Sequence, residues 1–505
     1  MSRRKAITTV QSIRAGTEVP IAKNSSLGFL FTASMNKWDM NALTHDINHA
    51  AADSSVITDM KIREVNNWRS ATGGINFQSK PGSKSDITVD LDYIFYTNNN
   101  PSDYNNAVYY PADNRNVNDK IDVSKHTPMT FVVGKFDYVY NLTPTLTVET
   151  GLKGVLSRLD NKVRVSRWNN DSWMVDPVLT SDADLTENIG AAYFSAKWQS
   201  KKGVHLSAGM RYEHTHTYIS TSTVRGVIDR RYGNFFPSVF IKKDIDKEKD
   251  ISFSYSRRIT RPTFRDIAPF VFFWSPNTFS SGNTSLWPSI SDGVRAGYHS
   301  GPWILILQYN HSSNEISFFQ PEIDNAGNLI YKSQNLRYLN TLNFTNSFSF
   351  NVAPWWEVQT NFTGQYQTAR TNHLEPNASL SVYNVNINVS NQVKLTKDFL
   401  IEISGFYQSR SVFGISEFMP LGSLNAGIQK KFGNNGILRL AMDDIFYNNY
   451  WRVITNLQQI NLKSSIKYDW HNQFVRLTYS RTFGNGKLRT VQVQTGSEEE
   501  RSRAN

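Results

Sequence analysis

The chain has 505 residues, a formal net charge of +11 at pH 7 and no cysteine. The missing cysteine excludes disulfides, thiolate metal sites and cysteine nucleophiles, while the length allows several domains or one very large sheet. Mean hydropathy is −0.45, and the longest apolar runs, "FVFFW" (Phe270–Trp274) and "WILIL" (Trp303–Leu307), fall far short of the about 20 residues a spanning helix needs, so no transmembrane helix is predicted.

In chain order, the N-terminal "MSRRKAITTVQSIRAGTEVP" is basic but has no apolar core behind it, and so does not read as a secretory signal. From Leu27 to Phe483 the recurring unit is period-two alternation, the pattern of extended chain with two unlike faces. In "DITVDLDYIFY", Ile87, Val89, Leu91, Tyr93 and Phe95 oppose Thr88, Asp90, Asp92, Ile94 and Tyr96. In "TLTVETGLKG", Leu146, Val148 and Leu152 oppose Thr147, Glu149, Gly151 and Lys153. In "VHLSAGMRYEH", Val204, Leu206, Ala208, Met210 and Tyr212 face away from His205, Ser207, Arg211 and Glu213. The aromatic content of 13% also suits strands.

A soluble sandwich shows the same alternation, so the connections decide. Short turns ("KPGSK" at Lys80–Lys84, "NLTPT" at Asn141–Thr145, "QSKKG" at Gln199–Gly203, "LTKDF" at Leu395–Phe399, "FGNNG" at Phe432–Gly436) take turns with long polar segments such as Asn98–Lys125, Trp168–Leu185 and Thr263–Ser285. Tight turns at one end and long loops at the other are the arrangement of an outer-membrane barrel. Strand candidates such as Thr186–Lys201, Lys249–Pro262 and Asn335–Val352 reach or pass the ~9–11 residues that cross hydrocarbon at a tilt. Because lipid leaves no backbone group unpaired, an all-strand chain spans only as a closed barrel. The expected fold is therefore an all-β transmembrane antiparallel barrel of about 18 strands, with an error of about two, and an even number is expected. "PWW" at Pro354–Trp356 adjoins a short turn, where a periplasmic girdle belongs.

"YSRRITRPTFRDIAPF" (Tyr255–Phe270), then "SGNTSLWPSISD" (Ser281–Asp292), resembles the barrel signature of TonB-dependent receptors, and more narrowly the outer-membrane β-barrel family attached to such receptors in Bacteroidota. Ala268 stands where that family usually has Asn, Thr284 where it has Pro and Trp287 where it has Lys. "DDIFYNNYW" (Asp443–Trp451) and the closing "YSRTFG" resemble its penultimate strand and C-terminus, and the similarity extends from about Arg14 to the end. The resemblance implies uptake of a scarce nutrient (siderophore, oligosaccharide or peptide) through a barrel of about 22 strands gated by a plug. It implies partners as well: outer-membrane lipid and lipopolysaccharide, the barrel assembly machinery, a surface lipoprotein, and a TonB complex that acts through a plug region missing from this sequence. Residues 1–20 then read as the remnant of an upstream strand, 21–484 as the barrel and 485–505 as a polar periplasmic tail, the product of a truncated or split gene. Tyr479 and Phe483 in the last strand resemble the signal read by the assembly machinery.

Several residues are candidate site residues. Arg257, Arg258, Arg261 and Arg265 form a basic cluster suited to an anionic ligand or lipopolysaccharide phosphate, or else to a solvated lumen wall. The loop aromatics Phe270, Phe272, Phe273, Trp274 and Phe279 either close over a ligand or pack against neighbouring loops, with packing favoured. His214 and His216 share a strand face, a spacing open to a metal, but Met210 and Tyr212 on that face favour an interfacial role. Asp443 and Asp444 are neighbours on extended chain and cannot serve one substrate atom. No phosphate loop, Ser-His-Asp spacing or zinc cluster is present, so no enzyme, cofactor or metal site is expected, nor any nucleic-acid partner. A secreted soluble β-rich binding module is the rival reading, and the outward rows Ile87/Val89/Leu91 and Val204/Leu206/Ala208 oppose it.

Overall fold

A computed structural model describes the whole chain except residues 1, 51–53, 170, 223, 268–270, 276–277, 325–327, 372–377, 434–435, 459–461, 470–471, 482–495 and 505. The strands are β1 (Ser2–Ala22), β2 (Ser25–Ala50), β3 (Ser54–Ser79), β4 (Ser85–Asn99), β5 (Ser102–Tyr110), β6 (Arg115–Thr143), β7 (Leu146–Asn169), β8 (Ser172–Val175), β9 (Ser181–Gln199), β10 (Val204–Thr221), β11 (Ile228–Asp244) and β12 (Lys249–Thr260). After α1 (Phe264–Ile267) come β13 (Phe272–Ser275), β14 (Thr278–Ser281), β15 (Ser289–Ser300), β16 (Trp303–Ile323), β17 (Leu329–Ala353), β18 (Trp356–Thr371), β19 (Ser379–Lys394) and β20 (Phe399–Gln408). The chain then forms β21 (Ser411–Phe413), β22 (Ser416–Phe418), β23 (Leu421–Phe432), β24 (Gly436–Asp443), β25 (Trp451–Leu457), β26 (Leu462–Tyr468), β27 (Phe474–Arg481) and α2 (Glu498–Ala504).

One sheet holds 23 of these strands. Four of them, β5, β8, β13 and β14, are short additions on the long-loop side, which leaves 19 wall strands in an antiparallel meander. The remaining four, β21, β22, β25 and β26, make a small sheet of their own on the same side. The wall count falls within the expected range, but it is odd where an even number was expected. Met1 lies outside the described residues; β1 runs down from the long-loop end and β27 ends at the short-turn end. Residues 2–20, read as a remnant, are a full wall strand paired with β2 along its length. No pairing joins β27 to β1 among the described residues. Near the long-loop end, the guanidinium of Arg4 on β1 lies 4.8 Å from the Trp274 ring and 6.0 Å from that of Tyr468 on β26.

The short-turn expectation holds among the described residues. Lys80–Lys84 joins β3 to β4, Ser200–Gly203 joins β9 to β10 and Leu395–Asp398 joins β19 to β20, all at one end. Trp355 and Trp356 stack there at the β17–β18 turn, and Trp303 packs on Phe348 beside the next one. The long segments are less loop-like than their polarity suggests. Asn98–Lys125 contains β5 and the upper part of β6, and β6 alone runs 29 residues. At ~3.3 Å per residue it far exceeds an apolar band ~25 Å tall, so much of the sheet stands above the membrane.

The two levels differ in which face is apolar. On β7, Leu152 and Leu156 point outward at 59% and 58% exposure, while Lys153 points inward. From Arg158 upward the pattern inverts: Arg158, Lys162 and Arg164 point outward, and Leu159, Val163 and Val165 are buried inside. Outside is lipid below and water above, so the inside must be polar below and apolar above. Two inner clusters fill the upper part, one around Phe131, Leu159 and Phe264, the other around Met60, Tyr104 and Phe273.

Candidate functional site

Inward side chains of β4, β6, β7, β9 and β10 line the lumen with charge. Asp90 and Asp92 are buried on β4, and Asn76 donates to Asp90 at 2.6 Å. On β6, Lys135 Nζ lies 2.6 Å from Asp137. Tyr193 donates its hydroxyl to that same Asp137, and its ring lies where a Cβ on Gly151 would sit, so only glycine leaves room for it. Glu213 on β10 is buried and accepts from Arg211 and, at 2.5 Å, from Arg261, which also donates to Thr215 at 3.1 Å. Two guanidiniums on one carboxylate offset the cost of taking these charges out of water.

The carboxy-terminal segment lies within this lumen. Glu500 meets Lys153 at 2.8 Å, Glu499 meets Arg261 at 3.1 Å and Arg503 meets Glu187 of β9 at 2.6 Å. The tail expected to hang in the periplasm is therefore, over Ser497–Arg503, packed against the inner wall, because the wall offers partners to a segment rich in both signs of charge. Residues 485–495 of that tail lie outside the described residues.

Above the charged layer, α1 and the chain around it fold inward. Thr263 and Asp266 cap each other: the Thr263 amide and hydroxyl donate to the Asp266 carboxylate at 2.9 and 2.6 Å, and the Asp266 amide returns to the hydroxyl at 3.2 Å. Ser333 on β17 donates to Asp266 at 2.8 Å, and β14 pairs parallel to β17, so this connection is pinned to the wall. Phe264 and Ile267 are buried.

The arginine cluster is split. Arg257 points outward and holds Asp292 of β15 with two hydrogen bonds of 2.9 and 3.0 Å. Arg258 and Arg261 point into the lumen, Arg258 exposed and Arg261 buried among its carboxylates. Arg265 on α1 sits higher, beside Lys125, whose ammonium burial pushes down to about 8, with Arg265 adding repulsion.

The aromatics pack rather than stand open. Phe273 is 1% exposed, and its ring lies 5.4 Å from that of Tyr104 in an edge contact; Phe279 is buried beside it. Phe272 and Trp274 make edge contacts with one another, and Trp274 donates to Ser280 at 2.7 Å. Phe270 lies outside the described residues, as do Ala268 and Phe483. Tyr479 is on the exposed last strand, opposite Leu438. His214 and His216 are on the outward face of β10, with His216 bonded to Asp229 at 2.9 Å. Asp443 faces Arg476, while Asp444 is buried with φ of 50° and caps the turn by accepting the amides of Asn448 and Asn449. No group of three metal-ligating side chains occurs among the described residues.

Sequence reading missed the lumenal cavity. An open cavity of about 540 Å³ is lined by Lys135, Lys153, Arg211, Glu213, Arg258 and the tail residues Glu498 and Glu499, among others. Its cations lie on four strands far apart in sequence, and no spacing reveals their convergence.

A meander with an apolar outward band, tight turns below and inward-folded loops above defines an outer-membrane β-barrel. The chain belongs to the outer membrane protein beta-barrel family, whose model matches residues 75–480, and its place is the outer membrane of a Gram-negative bacterium. Among solved structures it is similar to the ferric-catecholate import receptor Fiu from E. coli K12, with TM-score 0.56, 10% identity, and 95% of this chain and 81% of that one covered. It is similar also to FpvA of Pseudomonas aeruginosa, solved bound to a heterologous pyoverdine with iron (TM-score 0.52, 11% identity, 95% and 71% covered), and to the copper transporter OprC (TM-score 0.51, 9% identity, 95% and 81% covered). No curated protein sequence matches the chain.

Proposed function

We propose that this chain is the wall and capture surface of an outer-membrane receptor for a scarce nutrient, with an anionic metal chelate of the siderophore class favoured over an oligosaccharide or a peptide. The observation that carries the reading is the lumenal cavity, where Arg258 stands exposed beside Lys135, Lys153 and Arg211, whose charges are shared with Asp137, Glu500 and Glu213. Charge-assisted donors of this kind hold catecholate, carboxylate or phosphate oxygens and discriminate against neutral sugars. Two of the similar structures have iron chelates in their descriptions and a third is a copper transporter, which supports the same class. In this scheme the upper loops gather the ligand, the lumenal cations receive it, and a plug pulled by a TonB complex gates its passage. Assembly by the barrel machinery, contact with lipopolysaccharide and a surface lipoprotein partner belong to the same proposal.

Arg258 tests it, because its side chain is exposed in the lumen and has no ion-pair partner among the described residues. Arg258→Ala is expected to weaken binding of a ferric catecholate roughly tenfold, the scale of one charge-assisted hydrogen bond, in a tryptophan-fluorescence titration of the purified chain. Binding of a neutral oligosaccharide with none of the chelate would rule out the class.

A further inference from the structure

The lumen wall holds a segment of the chain's own, and its contacts add to those by which Phe264 and Asp266 already fasten the inward-folded cap to the wall. On one side the segment meets the wall: an ideal Cβ on Gly496 would lie 3.3 Å from Lys135 Cβ, and Glu500 is 2.8 Å from Lys153 with both side chains almost fully buried. On the other side it meets the inward-folded cap: Arg503 donates to the Pro262 carbonyl at 3.1 Å, and its guanidinium lies 4.6 Å from the Phe264 ring centre. The same Arg503 is tied to the wall through Glu187 at 2.6 Å. The ion pairs Lys153–Glu500 and Glu187–Arg503 set opposite buried charges against each other, and a buried ion pair is costly to break from one side.

We infer that the inner wall is a binding site for a peptide segment of mixed charge, that its resident ligand is the carboxy-terminal stretch Gly496–Arg503, and that this stretch is a stopper holding the cap of residues 261–267 closed. A ligand that enters the lumenal cavity meets this stretch, because Glu498 and Glu499 line it together with Lys135, Arg211 and Arg258. The inference rests on the receptor-barrel reading but not on the ligand class, so failure of chelate binding leaves it standing.

The absence of cysteine makes the test clean. In the full chain in the outer membrane, Gly496→Cys with Lys135→Cys should bridge on oxidation, since their separation is close to the ~3.8 Å of bonded Cβ atoms. Gly496→Cys with Phe136→Cys, the next residue but on the outward face, should not bridge. In planar bilayers the parent chain and the oxidised bridged pair should both conduct little. Arg503→Glu should raise conductance roughly tenfold or more, the scale of a lost buried charge partner, and Glu187→Arg combined with Arg503→Glu should bring it back down. A pair at 135 and 496 that bridges no better than the 136 control would overturn the docked segment. An Arg503→Glu chain no more conductive than the bridged one would overturn the stopper.

Discussion

Arg261 and Phe273 are both rim candidates by sequence, and the fold gives them different work. Arg261 neutralises Glu213 inside the lumen, whereas Phe273 fills the upper core against Tyr104. Phe273→Ala should cost about 3–5 kcal/mol, felt as faster proteolysis and hydrogen exchange of β13, β14 and β5, with ligand affinity changed only indirectly. A variant whose upper sheet is as protected as the parent's would show the ring to be peripheral. Lys125 adds a pH dependence. Its folded value near 8 lies below the ordinary 10.5, so the folded state holds fewer protons between them. The cost of burying its charge is full below pH 8 and is relieved as pH rises toward 10.5. Exchange protection of the upper part of β6 should therefore gain over that window in the parent and stay flat in Lys125→Met; equal profiles would remove Lys125 from the account. The sequence reading kept Asp443 and Asp444 apart and favoured packing for the aromatics. It could not separate Arg257 from Arg258 in role, because the alternation puts them on opposite faces without saying which face is lipid or lumen.

At the level of the strand, the sequence carries period and length well, since both are local. Turns at Lys80–Lys84 and Leu395–Asp398 were legible from Gly, Pro and Asp chemistry. The inversion within β7 was hidden, because alternation of period two looks the same when the apolar residues change from Leu152 and Leu156 to Leu159 and Val163. Its cause is a change of solvent along the strand, which only the assembled barrel defines. Leu152→Arg should destabilise the folded barrel by ~2–4 kcal/mol in urea titrations from lipid or detergent, whereas Arg158→Leu, two strand steps above Leu156, should be near neutral. Equal effects would move the membrane boundary away from this position. The long polar segment Asn98–Lys125 misled in the same way: polar residues facing water on a strand extension resemble a loop.

For the whole molecule, the fold class, the membrane location and the short-turn end followed from the sequence, but the contents of the lumen did not. Lys135, Lys153, Arg211 and Arg258 converge only after β6, β7, β10 and β12 close into a wall, and the tail that meets them is separated from Lys153 by more than 300 residues. The central claim is that this wall spans the outer membrane with its long connections outside the cell. The most direct measurement is labelling of single cysteines in cells with a maleimide that cannot cross membranes. Lys162→Cys, on the outward face of upper β7, should label in intact cells; Lys247→Cys, in the β11–β12 turn, should label only after the outer membrane is permeabilised; Leu152→Cys should resist in both. Labelling of Lys247→Cys in intact cells with Lys162→Cys protected would invert the barrel, and labelling of all three in a soluble fraction would contradict it outright.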